Sequence, residues 1–248
     1  MEHLMVKLCG LRTEADVAAV NAALPDFAGF VIEVPGKRRS VALEAAIALA
    51  KRLDKRIRPV GVFVNAPVET VNRFLAEAPN AAAQLHGEED AAYIASLRQA
   101  AGLTIPQSPT IGQNADGEAP SATETNDAHK TSRPSARNAR IIQAFRIRNG
   151  TDTLKAAASA ADLVLLDSGA GTGQTFDWRL LTGFPRPFLL AGGLGPENLA
   201  QAIEQAGAAA GKRFLGVDMS SNLETNGTKD PAKMLAAVQA ARERRRWR

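Results

Sequence analysis

A single cysteine, Cys9, occurs in the 248-residue chain, which excludes a disulfide framework and any zinc site built from several thiolates. Histidine is nearly as sparse. His3, His86 and His129 lie far apart and show no metal-ligand spacing, so no metal is expected. Aromatic residues make up only 5%, with one Tyr and two Trp, and a base-stacking surface for single-stranded nucleic acid is poorly supplied. No apolar run approaches the ~18 residues of a membrane helix, and the first ten residues lack the apolar stretch of a signal peptide. These absences point to a soluble, cytoplasmic protein with neither membrane nor nucleic acid as a partner.

Hydrophobic residues at 45% and charged residues at 23% are ordinary for a globular chain with a sizeable core. The net charge of +4 hints at an acidic partner, but the last seven residues alone hold five Arg and one Glu, which equals that excess. A helix C-terminus favours cations, so this Arg-rich tail reads as a solvated end.

Short apolar runs alternate with amphipathic ones. The runs Met5–Leu8, Phe27–Ile32, Pro59–Val64, Ala81–Leu85, Ile141–Phe145, Leu163–Leu166, Pro187–Ala191 and Phe214–Val217 have the length of buried strands. Helical patterns fall at Thr13–Ala23, Val41–Leu53, Pro67–Ala76, Glu88–Ala101, Asp152–Ala160, Pro196–Gln205 and Pro231–Arg242, with a shorter segment between Asp177 and Gly183. Strands alternating with helices imply parallel pairing, and eight such units predict an α/β fold of the (β/α)8 TIM-barrel type. A doubly wound sheet is the rival, weakened because no glycine-rich dinucleotide fingerprint follows the first strand. Pro106–Ala139 stands apart: it is Pro-rich, free of aromatics, and has almost no aliphatic residue except Ile111. It is expected to be a disordered insertion between the fourth helix and fifth strand of one domain spanning residues 1–248.

In such a barrel the reacting groups sit where strands end and their following loops begin. Glycines follow the sixth strand (Gly171, Gly173) and the seventh (Gly192, Gly193), and Ser220 and Ser221 follow the eighth. Glycine lets backbone amides approach an anion closely, so these three loops together predict a phosphorylated small-molecule substrate. Cys9 ends the first strand with Lys7 on the same face, where an ammonium lowers a thiol pKa. Asp167 and Asp218 end the sixth and eighth strands, an acid and base pattern beside the phosphate loops. His86 is read as a structural hydrogen-bonding residue.

The strings Lys7-Leu8-Cys9-Gly10-Leu11, Gly61-Val62-Phe63-Val64-Asn65 and Gln84-Leu85-His86-Gly87-Glu88 resemble phosphoribosylanthranilate isomerase. So do Leu166-Asp167-Ser168, Gly171 to Trp178, Leu190 to Leu194, and Gly216 to Ser221 continuing through Glu224, Lys229 and Asp230. They keep the family's order and cover nearly the whole chain outside the insertion and tail. The resemblance implies the Amadori rearrangement of N-(5-phosphoribosyl)anthranilate in tryptophan biosynthesis, without metal or cofactor. It implies Cys9 as general base and Asp167 as general acid, Arg39 (or the adjacent Arg38) on the anthranilate carboxylate, and Asp218 as a substrate-facing acid. Three departures stand out: a short loop after Asp167, Asn222 where glycine commonly follows Ser-Ser, and the insertion. Asn tolerates positive φ, so that substitution is expected to be benign. Indoleglycerol-phosphate synthase or a pentose-phosphate epimerase fits less well, and a non-catalytic scaffold barrel is the remaining alternative. Monomer and homodimer both stay open.

Overall fold

The computed structural model describes residues 3–103, 139–169 and 177–243. Gly171 and Gly173, the expected insertion up to residue 138, and the last five residues of the tail lie outside them. Eight long strands, β1 (Met5–Cys9), β2 (Phe27–Ile32), β3 (Arg58–Phe63), β4 (Ala82–Leu85), β5 (Ile141–Arg146), β6 (Leu163–Asp167), β7 (Phe188–Ala191) and β8 (Phe214–Met219), pair in parallel in chain order. β1 pairs with both β2 and β8, placing Lys7 beside Phe27 on one side and Asp218 on the other, and this closes the barrel. The expected (β/α)8 architecture is the one observed.

Side chains alternate along each strand, which divides the apolar residues into two layers. Met5, Phe27, Val60, Ala82, Ile142, Leu165 and Leu189 pack inside the barrel. Leu8, Phe30, Phe63, Leu85, Leu166, Leu190 and Val217 belong to the layer shared with the helices. Ala139, the last residue of the expected insertion, is buried in the inner layer, so the barrel resumes before Arg140.

The helices are α1 (Glu14–Ala23), α2 (Leu43–Ala50), α3 (Val68–Glu77), α4 (Ala91–Ala100), α5 (Gly150–Ala157), α6 (Leu199–Ala210) and α7 (Pro231–Arg242). Local chemistry explains their starts. Thr13 and Asp16 form a capping box on α1, while Asp90, Asn149 and Asp230 cap α4, α5 and α7 with their side chains. Several expected bounds shift for tertiary reasons. Val41 leaves the second helix to pair with Ile32 through the short strand Ser40–Val41. Glu88 and Glu89 precede α4, because the buried Glu89 carboxylate accepts from the Asn65 and Gly87 amides at 2.7 and 2.8 Å. Between β6 and β7 the described helical element is a single 3-10 turn, Trp178–Leu181.

The face at the strands' N-terminal ends is tied by buried carboxylates. Asp26 accepts from Val6 N and from Arg242 Nη2, both at 2.9 Å, and Asp162 accepts from Arg98, Arg140 N and Ile141 N. Arg242, expected to begin a solvated tail, instead docks α7 across this face. No described helix is long and apolar enough to cross a membrane.

Candidate active site

The strand ends of β1 and β8 carry a buried ion pair at the mouth. Lys7 is 0% exposed, and its Nζ donates to Asp218 Oδ1 at 2.9 Å. Burial opposes the Lys7 charge, but Asp218 and Cys9 more than offset it, so the ammonium is held above its ordinary pKa. Asp218 is pushed up by burial and pulled back by Lys7. Cys9, on the same strand face, is buried too. Desolvation pushes its thiol above the usual range, against the lowering effect of Lys7. The expected lowering by Lys7 is therefore present but outweighed, because burial of the thiolate costs more than the neighbouring ammonium returns.

Asp167 ends β6 and accepts from Gly169 N at 2.8 Å. His86, the residue after β4, places its Nε2 3.9 Å from Asp167 Oδ2, and Gln84 sits 3.5 Å from the other ring nitrogen. Asp218 feels the charges of both Asp167 and His86, so the carboxylates of β6 and β8 share one electrostatic neighbourhood with the thiol. Gln84 Oε1 is buried without a partner among the described residues.

Opposite these, the loop after β2 brings Arg38 and Arg39 onto the loop after β8. Glu224 Oε1 accepts from Arg39 Nε at 2.6 Å and from Lys229 Nζ at 3.2 Å, while Oε2 accepts from Arg38 Nη2 at 2.5 Å. Burial would raise this carboxyl, yet the three cations hold it at about 2. The two arginines differ in place. A Cβ at Gly10 would lie 2.6 Å from Arg39 Cδ and 3.0 Å from Ser220 Oγ, so Arg39 runs over the end of β1 beside Cys9. Arg38 turns outward to the Gly227 carbonyl. Lys229 Nζ also donates to the Ser220 carbonyl at 2.9 Å, and Ser220 Oγ donates to the Cys9 carbonyl at 3.0 Å.

After β7, Gly192 and Gly193 have φ of 108° and 62°, backbone that a side chain strains. A Cβ on Gly192 would overlap Ser168 Oγ, so this turn is pressed against the loop after β6. Ser221 begins the 3-10 turn Ser221–Leu223 after β8. Asn222 adopts no positive φ; its side-chain amide reaches the Gly193 carbonyl instead.

Cys9, Asp167, Asp218, Arg39, Gly192, Gly193, Ser220 and Ser221 thus all lie at the strands' C-terminal ends. No role for Glu224 or Lys229 is legible in the sequence alone; their importance appears only when the loops after β2 and β8 meet. Arg146, not among the expected site residues, ends β5 in register with Asp167 and lies against Gly169. Its place at a strand end is the sequence signal that marks it. The assembled mouth offers a buried thiol, a carboxylate pair, guanidinium groups for a carboxylate and glycine amides for an anion.

A family model described as N-(5'phosphoribosyl)anthranilate (PRA) isomerase matches residues 6–131 and 124–240. An N-(5'-phosphoribosyl)anthranilate isomerase of Lacticaseibacillus casei is 36% identical over 240 residues, covering 97% of this chain and 96% of the relative. That of Endomicrobium trichonymphae is 32% identical over 242 residues, covering 96% and 98%. Among solved structures, the phosphoribosyl anthranilate isomerase of Thermotoga maritima superposes with a TM-score of 0.70 at 25% identity, covering 97% of this chain and 99% of that one. A phosphoribosyl anthranilate isomerase in complex with reduced 1-(o-carboxyphenylamino)-1-deoxyribulose 5-phosphate gives 0.68 at 25% identity, with the same coverage.

Proposed function

Since this chain belongs to the N-(5'-phosphoribosyl)anthranilate isomerase family, we propose that it catalyses the Amadori rearrangement of N-(5-phosphoribosyl)anthranilate to 1-(2-carboxyphenylamino)-1-deoxyribulose 5-phosphate, a step of tryptophan biosynthesis in the cytoplasm. The observation that carries this reading is the family match along the chain, joined to a mouth that gathers Cys9, Asp167 and Arg39 from three separate strand ends. Asp167 is the general acid. It protonates the ribose ring oxygen, the C1–O bond breaks, and the nitrogen lone pair forms the iminium. Cys9 is the general base. Its thiolate removes the proton from C2, the C–H electrons neutralise the iminium, and the enolamine tautomerises to the ketone. The iminium is itself the electron sink, so this chain's own groups suffice.

Arg39 is assigned to the anthranilate carboxylate in preference to Arg38. Its support is its path over Gly10, next to Cys9, whereas the Arg38 side chain is 52% exposed and turned away. Glu224 holds Arg39 Nε and one Nη, orienting the fork. Asp218 keeps Lys7 charged beneath the thiol. The phosphate is assigned to the amides of Gly192 and Gly193, to the loop carrying Ser220 and Ser221, and, from the sequence, to Gly171 and Gly173, which lie outside the described residues.

The decisive experiment follows the fluorescence decay of freshly made phosphoribosylanthranilate with purified protein. Acceleration by the wild type is expected, with kcat reduced about 100-fold or more in Cys9→Ala and in Asp167→Asn, the usual worth of a positioned acid or base. No acceleration by the wild type rejects the activity, and near-normal rates in both variants reject the two roles.

A further inference from the structure

Two side-chain amides converge on one backbone carbonyl at the mouth. Asn222 Nδ2 donates to Gly193 O at 2.6 Å, and Asn198 Nδ2 donates to the same oxygen at 2.9 Å. Asn198 Oδ1 in turn accepts from Gly195 N at 2.9 Å. A Cβ on Gly195 would lie 2.6 Å from Asn222 Cβ, so the loops after β7 and β8 are in direct contact here.

A planar trans peptide points its N–H opposite to its C=O, and the described residues contain no cis bond. Holding Gly193 O therefore fixes the plane of the Gly193–Leu194 peptide and the direction of the Leu194 N–H. The brace falls where the chain is least rigid by itself, on two successive positive-φ glycines. Successive amides of such a turn, ahead of the N-terminus of α6, are suited to an anion. Asn198 belongs to the loop that it steadies, whereas Asn222 reaches across from the loop after β8.

We propose that Asn222 is a positioning residue of the phosphate subsite, bracing the loop after β7 so that its amides are aligned before the substrate arrives. The inference rests on the reading of this chain as an enzyme for a phosphorylated substrate. Preorganisation of this kind acts on binding and leaves the proton transfers at Cys9 and Asp167 alone.

The test measures kcat and KM with phosphoribosylanthranilate, and calorimetric affinity for inorganic phosphate, in wild type, Asn222→Ala and Asn222→Asp. Asn222→Ala is expected to raise both KM and the phosphate Kd by about three- to tenfold, the worth of one hydrogen bond, with kcat within about twofold. Asn222→Asp is expected to weaken both further, because a carboxylate neither donates to Gly193 O nor tolerates a nearby dianion. Unchanged KM and phosphate affinity in Asn222→Ala, or a fall in kcat with KM unchanged, overturns the brace while leaving the enzyme reading intact. A wild type that neither turns over the substrate nor binds phosphate overturns both.

Discussion

At the scale of single residues, burial decides the behaviour of the proposed base. The Cys9 thiol lies above its ordinary value of 9.0 because desolvation of the thiolate exceeds the help from Lys7. The ultraviolet absorbance of the chain's single thiolate, read as the difference between wild type and Cys9→Ala, should therefore appear at higher pH than that of a free cysteine. A thiolate already formed at neutral pH would contradict that account of the base. The same burial makes Lys7 structural as well as electrostatic. Lys7→Met leaves Asp218 as an uncompensated buried carboxylate and should cost about 3–5 kcal/mol in urea unfolding, while Lys7→Met/Asp218→Asn should recover most of it. Equal losses in the two variants would mean that the ion pair is not what the Lys7 change disturbs. Cys9 and Lys7 were legible as a pair from their spacing on one strand. The sign of the thiol shift was not, because it depends on how completely the closed barrel removes water.

At the scale of elements, side-chain caps open four of the seven described helices, and strand–loop junctions place the proposed reacting groups. α7 was readable to the residue, since Asp230 caps it and Pro231 occupies its first turn. α4 was not: three acids before it look like a first turn, but Glu89 is turned inward to hold two loop amides. The turn after β7 is the element under the tightest constraint. Gly192→Ala would strain φ 108° and force a Cβ into Ser168. We expect a loss of about 1–3 kcal/mol in chemical denaturation together with a higher KM for the phosphorylated substrate. An alanine variant as stable as wild type, with KM unchanged, would show that the two loops move apart freely. Asn222 illustrates the limit of reading loops residue by residue. Its amide was expected to tolerate positive φ, and its contribution is instead a contact across two loops.

At the scale of the whole molecule, the barrel separates the proposed chemistry from anchoring. Thiol, carboxylates and arginines meet at the strands' C-terminal ends, while Asp26, Asp162 and Arg242 tie the opposite end. The connection from α4 to β5 joins the barrel at that opposite end, which makes the polar stretch removable. Replacing residues 106–138 by a short Gly/Ser linker should keep kcat/KM within about twofold and preserve a cooperative thermal transition, because loop length changes closure entropy only slowly. A large fall in kcat/KM with folding intact would tie that stretch to the mouth. The sequence by itself determined the alternation of strands and helices and most of the strand-end residues available for chemistry, because period and propensity act within a few residues of chain. Only the tertiary structure decided which of those residues meet. Lys7 and Asp218 are 211 positions apart and Arg39 and Glu224 are 185 apart, and each pair is brought within hydrogen-bonding distance only when β1 joins β8 and closes the ring.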